Sequence, residues 1–246
     1  MTEWDPHALR HLDRIEARIE DAGLSGLIQT AAADLWRANR ERYEPDHLFD
    51  DPFTLSVLTS RNLANRLFAE INEHQEMSKQ GIVASRESST TVVTLSNVAI
   101  RLVKAPHYTG RNPDFDTAFV WDRSDLRLGA AARNHAAYAP QGHPTLFDVD
   151  DKRPAGAVSH CLDVFIVWAA DLSTGLTAGW LGLPTIKPTG SPWLAVRQLW
   201  WDAEVSAATD LAEETENDGN GGDFAARPLP VPALRLRSVR SSGAGL

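Results

Sequence analysis

The sequence predicts an α+β fold in which amino-terminal amphipathic helices pack on a largely antiparallel sheet, with a disordered carboxyl-terminal tail. Apolar residues recur at spacings of three and four in the first third of the 246-residue chain. Short β-branched segments follow in the middle and late parts. Helices in one run and strands in another, rather than in alternation, are typical of this fold class.

The first third predicts three helices. The first carries Leu9 and Ile19 on its apolar face and ends at Gly23, and the second follows from Leu24. Asp51-Pro52 supplies an N-cap and a first-turn proline for the third. That helix is traced by Leu55, Leu58, Asn62, Leu63, Arg66, Leu67 and Ile71.

The later elements are mostly strands. Residues 81–86, 90–95 and 98–103 are rich in β-branched side chains and are separated by turn residues, which predicts a β-meander. Further strands are expected at 114–121, 159–170 and 176–183, and residues 192–201 form either a closing helix or a strand. A helix capped by Ser124 is expected over 125–138. We therefore expect one domain over 1–201, helical to about 77 and sheet from about 78.

Composition excludes several classes of protein. The net charge is −9 and the isoelectric point about 5.3, which argues against a nucleic-acid binder. No run of 18 apolar residues and no secretory signal is recognised, so we expect no membrane association and a cytoplasmic location. The single cysteine, Cys161, agrees with a reducing compartment. We expect neither a cofactor nor a metal site.

Residues 202–246 predict an acidic linker and a basic tail. Between 202 and 223 there are eight acidic residues and no Lys or Arg, whereas no residue from 224 to 246 is acidic. Such a segment buries too little apolar surface to fold alone. Proline and alternating Leu and Arg between Arg227 and Arg237, with Arg235 among them, suit addition to a sheet edge or a groove. The leading hypothesis is therefore a non-enzymatic protein that binds a protein partner or has a regulatory role, with this tail as one contact element.

A second group of candidate binding residues lies at strand ends in the middle of the chain. Functional groups often collect in such loops because the sheet holds them rigidly. Alternatively, Asp125 sits favourably in a first helical turn, and Arg127 or Lys104 pairs with it on the surface. The candidates are Lys104, His107, Trp121, Asp125, Arg127, Arg133 and Asn134.

Three other functions remain open, although common nucleotide, hydrolase and zinc-protease motifs are absent from the sequence. Asp150-Asp151-Lys152, with Asp125 and Asp148, allows a metal-dependent hydrolase or nuclease. Residues 54–73 have the polar composition of a DNA-recognition helix. Aromatic residues of the late sheet allow small-molecule sensing, and these are Trp168, Trp180, Trp193, Trp200 and Trp201.

Several short motifs between residues 50 and 200 carry a resemblance. They are Asp51-Pro52 with Asn62 and Arg66, Lys104-Ala105-Pro106, Ser124-Asp-x-x-Arg127 with Arg133-Asn134, Leu146-Phe147-Asp148, and Gly179-Trp-Leu-Gly-Leu-Pro184. This succession resembles uncharacterised bacterial proteins encoded beside a helix-turn-helix regulator and a zinc metallopeptidase-like protein in prophage-like or mobile-element settings. The resemblance implies a regulatory or partner-binding role and assigns no catalytic residue.

Overall fold

The computed structural model describes residues 4–87, 90–106, 110–138, 157–186 and 191–203. Within these ranges five α-helices and one six-stranded sheet confirm the predicted α+β class. The helices are α1 (Pro6–Asp21), α2 (Leu24–Arg40), α3 (Pro52–Glu73), α4 (Gln75–Lys79) and α5 (Asp125–Tyr138). The strands are β1 (Ile82–Glu87), β2 (Thr90–Leu95), β3 (Val98–Lys104), β4 (Asp163–Ala170), β5 (Thr177–Pro184) and β6 (Trp193–Trp201).

The amino-terminal helices begin and end where the sequence predicts. The Asp51 carboxylate accepts a hydrogen bond from the Thr54 amide at 2.6 Å, and Pro52 opens α3. Gly23 separates α1 from α2 with a φ of 68°, a left-handed conformation that glycine adopts at low cost. One detail differs, because Leu58 is 43% exposed and does not contribute to the buried side of α3.

The sheet has its strands in sequence order, from β1 to β6. All neighbouring pairs are antiparallel except β3 and β4, which run parallel with Lys104 beside Trp168. Helices α1, α2 and α3 pack on one face of this sheet. The segment 110–124 and α5 cover the other face, over a second core that contains Phe165 and Trp193. Strands β4 and β5 are consequently buried on both faces.

Two predicted strands are wrong in whole or in part. Residues 114–121 are not a strand, because the Asp114 carboxylate accepts hydrogen bonds from the backbone of Asp116 and Thr117 and curls the chain. The aromatic residues of that segment pack onto the sheet instead of extending it. The strand expected from 159 begins only at Asp163, after a short 3-10 helix at Ala157–His160. Residues 192–201 form a strand rather than a helix.

No helix among the described residues is long and apolar enough to cross a membrane. The predicted tail lies outside the described residues from position 204 onward, and this includes Arg227, Arg235 and Arg237.

Gly179 in β5 is required by the cross-strand Trp200. A Cβ atom at this position would lie inside van der Waals contact of the indole ring. We expect Gly179→Ala to lower the free energy of unfolding by about 1–3 kcal/mol, because overpacking forces buried side chains from their rotamers. Gly26→Ala is the control, since Gly26 lies in α2 with open space around its Cα and should be neutral or stabilising. Urea unfolding of both variants measures the difference, and equal midpoints would contradict the expectation.

His11 makes stability depend on pH. Its ring is 7% exposed and its Nε2–H donates to the Cys161 carbonyl at 3.0 Å. Burial is the main cause that lowers the pKa of His11 below its ordinary 6.5, so below that pH the unfolded chain binds more protons than the folded one. The free energy of unfolding should therefore fall as pH decreases below about 6.5.

Urea unfolding between pH 7.5 and 5 measures this effect in the original chain and in His11→Gln, whose amide retains a donor. We expect a shallower pH dependence in His11→Gln. His74→Gln, at an exposed position, should leave the dependence unchanged. Parallel curves for the original chain and His11→Gln would refute the assignment.

Candidate functional site

The described part of the chain contains a cavity of about 570 Å³ at the carboxyl end of β3. The pairing of β2 with β3 ends at Val92 and Arg101, so the last residues of β3 extend beyond that ladder. Pro106 then takes the chain out of the sheet, since proline has no amide hydrogen for a further ladder bond. The cavity fills the space between this strand end, α3 and the segment that precedes α5. Its volume lies in the range that small-molecule sites occupy.

One face of α3 forms a wall of the cavity. The lining residues of this helix recur at helical spacing, and they are Phe53, Ser56, Val57, Ser60, Arg61 and Ala64. Leu55, Leu63 and Leu67 point the other way, into the core. The helix is therefore anchored by its apolar side and presents small hydroxyl groups and one guanidinium to the cavity.

Lys104 lies at the inner wall. It is the last residue of β3, and its register with Trp168 on the parallel strand β4 places both side chains on the same face. The Lys104 Nζ lies 5.1 Å from the centroid of the Trp168 ring, in cation–π range. Trp168 is 1% exposed and therefore forms a rigid platform beneath the ammonium group. Burial lowers the pKa of Lys104 from 10.5 to about 8.

Trp121 positions the two basic residues on the opposite wall. Its Nε1–H points to the carbonyls of Thr185 and Pro192, at 3.2 and 3.3 Å, and its ring packs edge-on against Trp193. The Trp121 carbonyl accepts the Ser124 amide in the turn that leads into α5. The anchored indole thus sets where α5 starts, and this brings the following Arg123 and Arg127 to the cavity.

All charged side chains in the described lining of the cavity are basic. The lining contains no Asp or Glu, and its four positively charged side chains are Arg61, Lys104, Arg123 and Arg127. We call this space the basic cavity. Arg127 is half-buried, and it forms no ion pair with a described carboxylate, Asp125 included. Burial lowers the pKa of Arg127, although a guanidinium remains protonated at neutral pH. Desolvated cations of this kind attract an anion.

The rest of the wall is apolar or carries hydroxyl groups. Thr90 and Thr91 contribute from the start of β2, and the indole of Trp121 and the ring of Phe119 contribute from the segment before α5. At the mouth, Val57 and Val120 are 45% and 50% exposed. The cavity therefore offers charge for an anionic group together with flat apolar surface for an organic skeleton.

A second charged cluster lies near the amino end of β4. The Asp163 carboxylate is nearly buried and accepts two hydrogen bonds from Arg133, at 2.7 and 2.8 Å. It also pairs with the buried Arg101, which in turn reaches Glu87 at 3.2 Å. Asn134 Nδ2 donates to the carbonyls of Asp163 and Pro184, at 2.6 and 3.1 Å, and so joins the ends of β4 and β5. In this cluster cations and carboxylates neutralise one another.

The structure divides the predicted strand-end residues between these two places. Lys104, Trp121 and Arg127 line the basic cavity. Arg133 and Asn134 belong to the Asp163 cluster, which lies five residues, or about 16 Å, along β4 from Trp168. Exposed Asp125 lies outside the cavity lining, and His107 lies outside the described residues.

Sequence reasoning placed other members of the cavity elsewhere. Arg61 was grouped with a DNA-recognition composition, although the spacing of Ser56, Ser60 and Ala64 marks a second, narrow face of α3. In the sequence, Trp168 stands out only as one of the aromatic residues of the late sheet. No local motif indicates that Thr90 lines the cavity, because this depends on where β2 begins beside the end of β3.

The remaining predictions concern a metal site, a hydrolase site and a DNA-recognition helix. No group of metal-ligating side chains occurs within the described ranges. Asp148, Asp150 and Lys152 of the proposed hydrolase site lie outside those ranges, so that hypothesis stays a prediction. In the helix proposed to read DNA, Arg66 pairs with Asp34 and Glu70, at 3.3 and 2.7 Å, and is therefore engaged within the fold.

Comparison of the chain with protein-family models, with curated proteins and with solved structures finds no match.

The Asp163 cluster should stabilise the fold. In Asp163→Asn, buried Arg101 would keep only Glu87 as a charged partner, and removing one partner of a buried pair costs about 3–5 kcal/mol. Glu76→Gln removes a carboxylate from an exposed pair with Lys79 and should cost less than about 1 kcal/mol. Chemical denaturation of the two variants tests this difference, and a comparable loss in both would contradict the structural role.

Proposed function

We propose that the protein binds a small organic anion in the basic cavity. The observation that carries this proposal is the gathering of four basic side chains around a 570 Å³ space with no acidic residue in its described lining. Among these residues, Arg127 is half-buried and forms no ion pair with a described carboxylate, and desolvation of a cation without a compensating charge is costly. A bound carboxylate or phosphate would supply that charge.

The chemistry of the walls narrows the ligand. Arg123 and Arg127 suit planar or tetrahedral oxyanions, since a guanidinium donates in a fork that matches carboxylate and phosphate oxygens. Phe119 and Trp121 suit a flat or aliphatic skeleton attached to that anion. The expected ligand therefore has one anionic end and a compact apolar body.

The leading candidate for the binding partner is therefore a small molecule rather than a protein. The predicted contact of the tail with a protein lies outside the described residues and stays a prediction. A regulatory role remains compatible with ligand binding, because occupancy would link α3, β3 and α5 through one molecule. A cytoplasmic location belongs to the same proposal, and the buried free thiol of Cys161 supports it.

Isothermal titration calorimetry with phenyl phosphate tests the proposal. We expect phenyl phosphate to bind and phenol, which lacks the anion, to bind at least tenfold more weakly. Arg127→Gln should raise the dissociation constant of phenyl phosphate by about tenfold, because a charge-assisted hydrogen bond contributes about 1.5–3 kcal/mol. Added salt should weaken binding in the original chain.

Arg14→Gln is the matched control, because Arg14 is an exposed arginine of α1 outside the cavity lining. It should leave the dissociation constant within twofold. Equal binding of phenol and phenyl phosphate, or equal effects of the two substitutions, would refute anion binding in the cavity.

A further inference from the structure

Lys104 differs from the other three cations of the basic cavity in what it can do chemically. Arginine side chains stay protonated and serve as permanent positive charges. A lysine amine becomes a nucleophile once it loses its proton, and burial near other cations promotes that loss. Burial lowers the pKa of Lys104 to about 8, and Lys104 shares the cavity lining with three guanidinium groups. At pH 7 roughly a tenth of the amine is neutral.

The position of Lys104 also suits covalent chemistry. Its backbone is fixed at the end of β3, where the Ala105 amide donates to the Trp168 carbonyl at 2.8 Å. Its Nζ is held over the buried Trp168 ring at the cavity wall. A ligand whose anionic group binds the arginines would therefore bring its apolar body toward the amine, and a rigidly held nucleophile gains from such proximity.

We propose that Lys104 Nζ forms an imine with an aldehyde or ketone group of the bound organic anion. The inference rests on the proposed function, because the arginines must first hold the carboxylate or phosphate of the same molecule. The neutral amine adds to the carbonyl carbon, and proton transfer gives a carbinolamine. Loss of one water molecule, which carries away the carbonyl oxygen and both amine hydrogens, leaves the carbon–nitrogen double bond. No electron acceptor or donor takes part.

The chain itself provides a sharp test, because it has four lysines: Lys79, Lys104, Lys152 and Lys187. The full-length protein is incubated with limiting 4-carboxybenzaldehyde, any imine is reduced with cyanoborohydride, and the modified lysine is located by peptide mass spectrometry. We expect modification at Lys104 at least tenfold faster than at the exposed Lys79. The rate at Lys104 should be half-maximal near pH 8 and approach its plateau about one pH unit higher, below the ordinary pKa of a lysine.

Two further probes identify the anion and its contribution. Benzaldehyde, which lacks the carboxylate, should label Lys104 at least tenfold more slowly, and phenyl phosphate should protect Lys104 by competition. Pyridoxal 5′-phosphate, an aromatic aldehyde with a phosphate, distinguishes a phosphate ligand from a carboxylate ligand by its labelling rate relative to 4-carboxybenzaldehyde. Lys104→Arg retains the positive charge but has no amine that can form an imine, so the fast labelling should be lost.

The outcomes separate the two proposals. If phenyl phosphate binds and depends on Arg127 but Lys104 is labelled no faster than Lys79, the imine is refuted and anion binding stands. If benzaldehyde and 4-carboxybenzaldehyde label Lys104 equally, the arginines do not direct the reaction and the inference is also overturned. If phenyl phosphate neither binds nor protects, anion binding itself fails, and the inference that rests on it fails with it.

Discussion

The parallel pairing of β3 with β4 is the constraint on which the rest of this structure depends. Two parallel neighbours cannot be joined by a tight turn, so the chain must cross from Lys104 back to Asp163. The described parts of this connection, with α5 among them, cover the second face of the sheet. Strand β4 therefore needs apolar residues on both faces, which explains its uninterrupted apolar sequence from Val164 to Ala170. The same pairing brings the carboxyl ends of β3 and β4 to one edge, where the basic cavity opens.

The local elements were predictable because local physical signals determine them. Asp51-Pro52 starts α3 by capping, and the alternation of β-branched residues gives the meander from β1 to β3. The prediction of a strand at 114–121 is wrong because an alternating aromatic pattern occurs both in strands and in loops that pack on a sheet. The turn at Asp114 and the indole contacts of Trp121 depend on tertiary packing. The spacing of apolar residues along the sequence carries no information about such packing.

The candidate site was predictable only in part for the same reason. The strand end at Lys104 and the start of α5 were recognisable because polar residues follow apolar segments there. Their meeting with α3 depends on the crossover and on the length of β2, and neither is encoded in a short motif. Conversely, Arg133 and Asn134 lie in the same helix as Arg127 but contact the opposite end of β4, because they lie about two turns further along α5.

The two charged clusters differ in whether carboxylates within the described fold balance their basic side chains. Around Asp163, each carboxylate oxygen accepts from a guanidinium, so burial of charge is offset within the fold and no ligand is needed. Around Lys104, basic side chains converge from α3, β3 and the start of α5, and no described acid lies among them. Folding alone favours the first arrangement and disfavours the second, since like charges repel and burial disfavours the charged forms of Lys104 and Arg127. Because rigid elements hold the basic side chains of the cavity together, a bound anion would offset their mutual repulsion, and an excess of charge of one sign in a cavity is a feature that binding sites share.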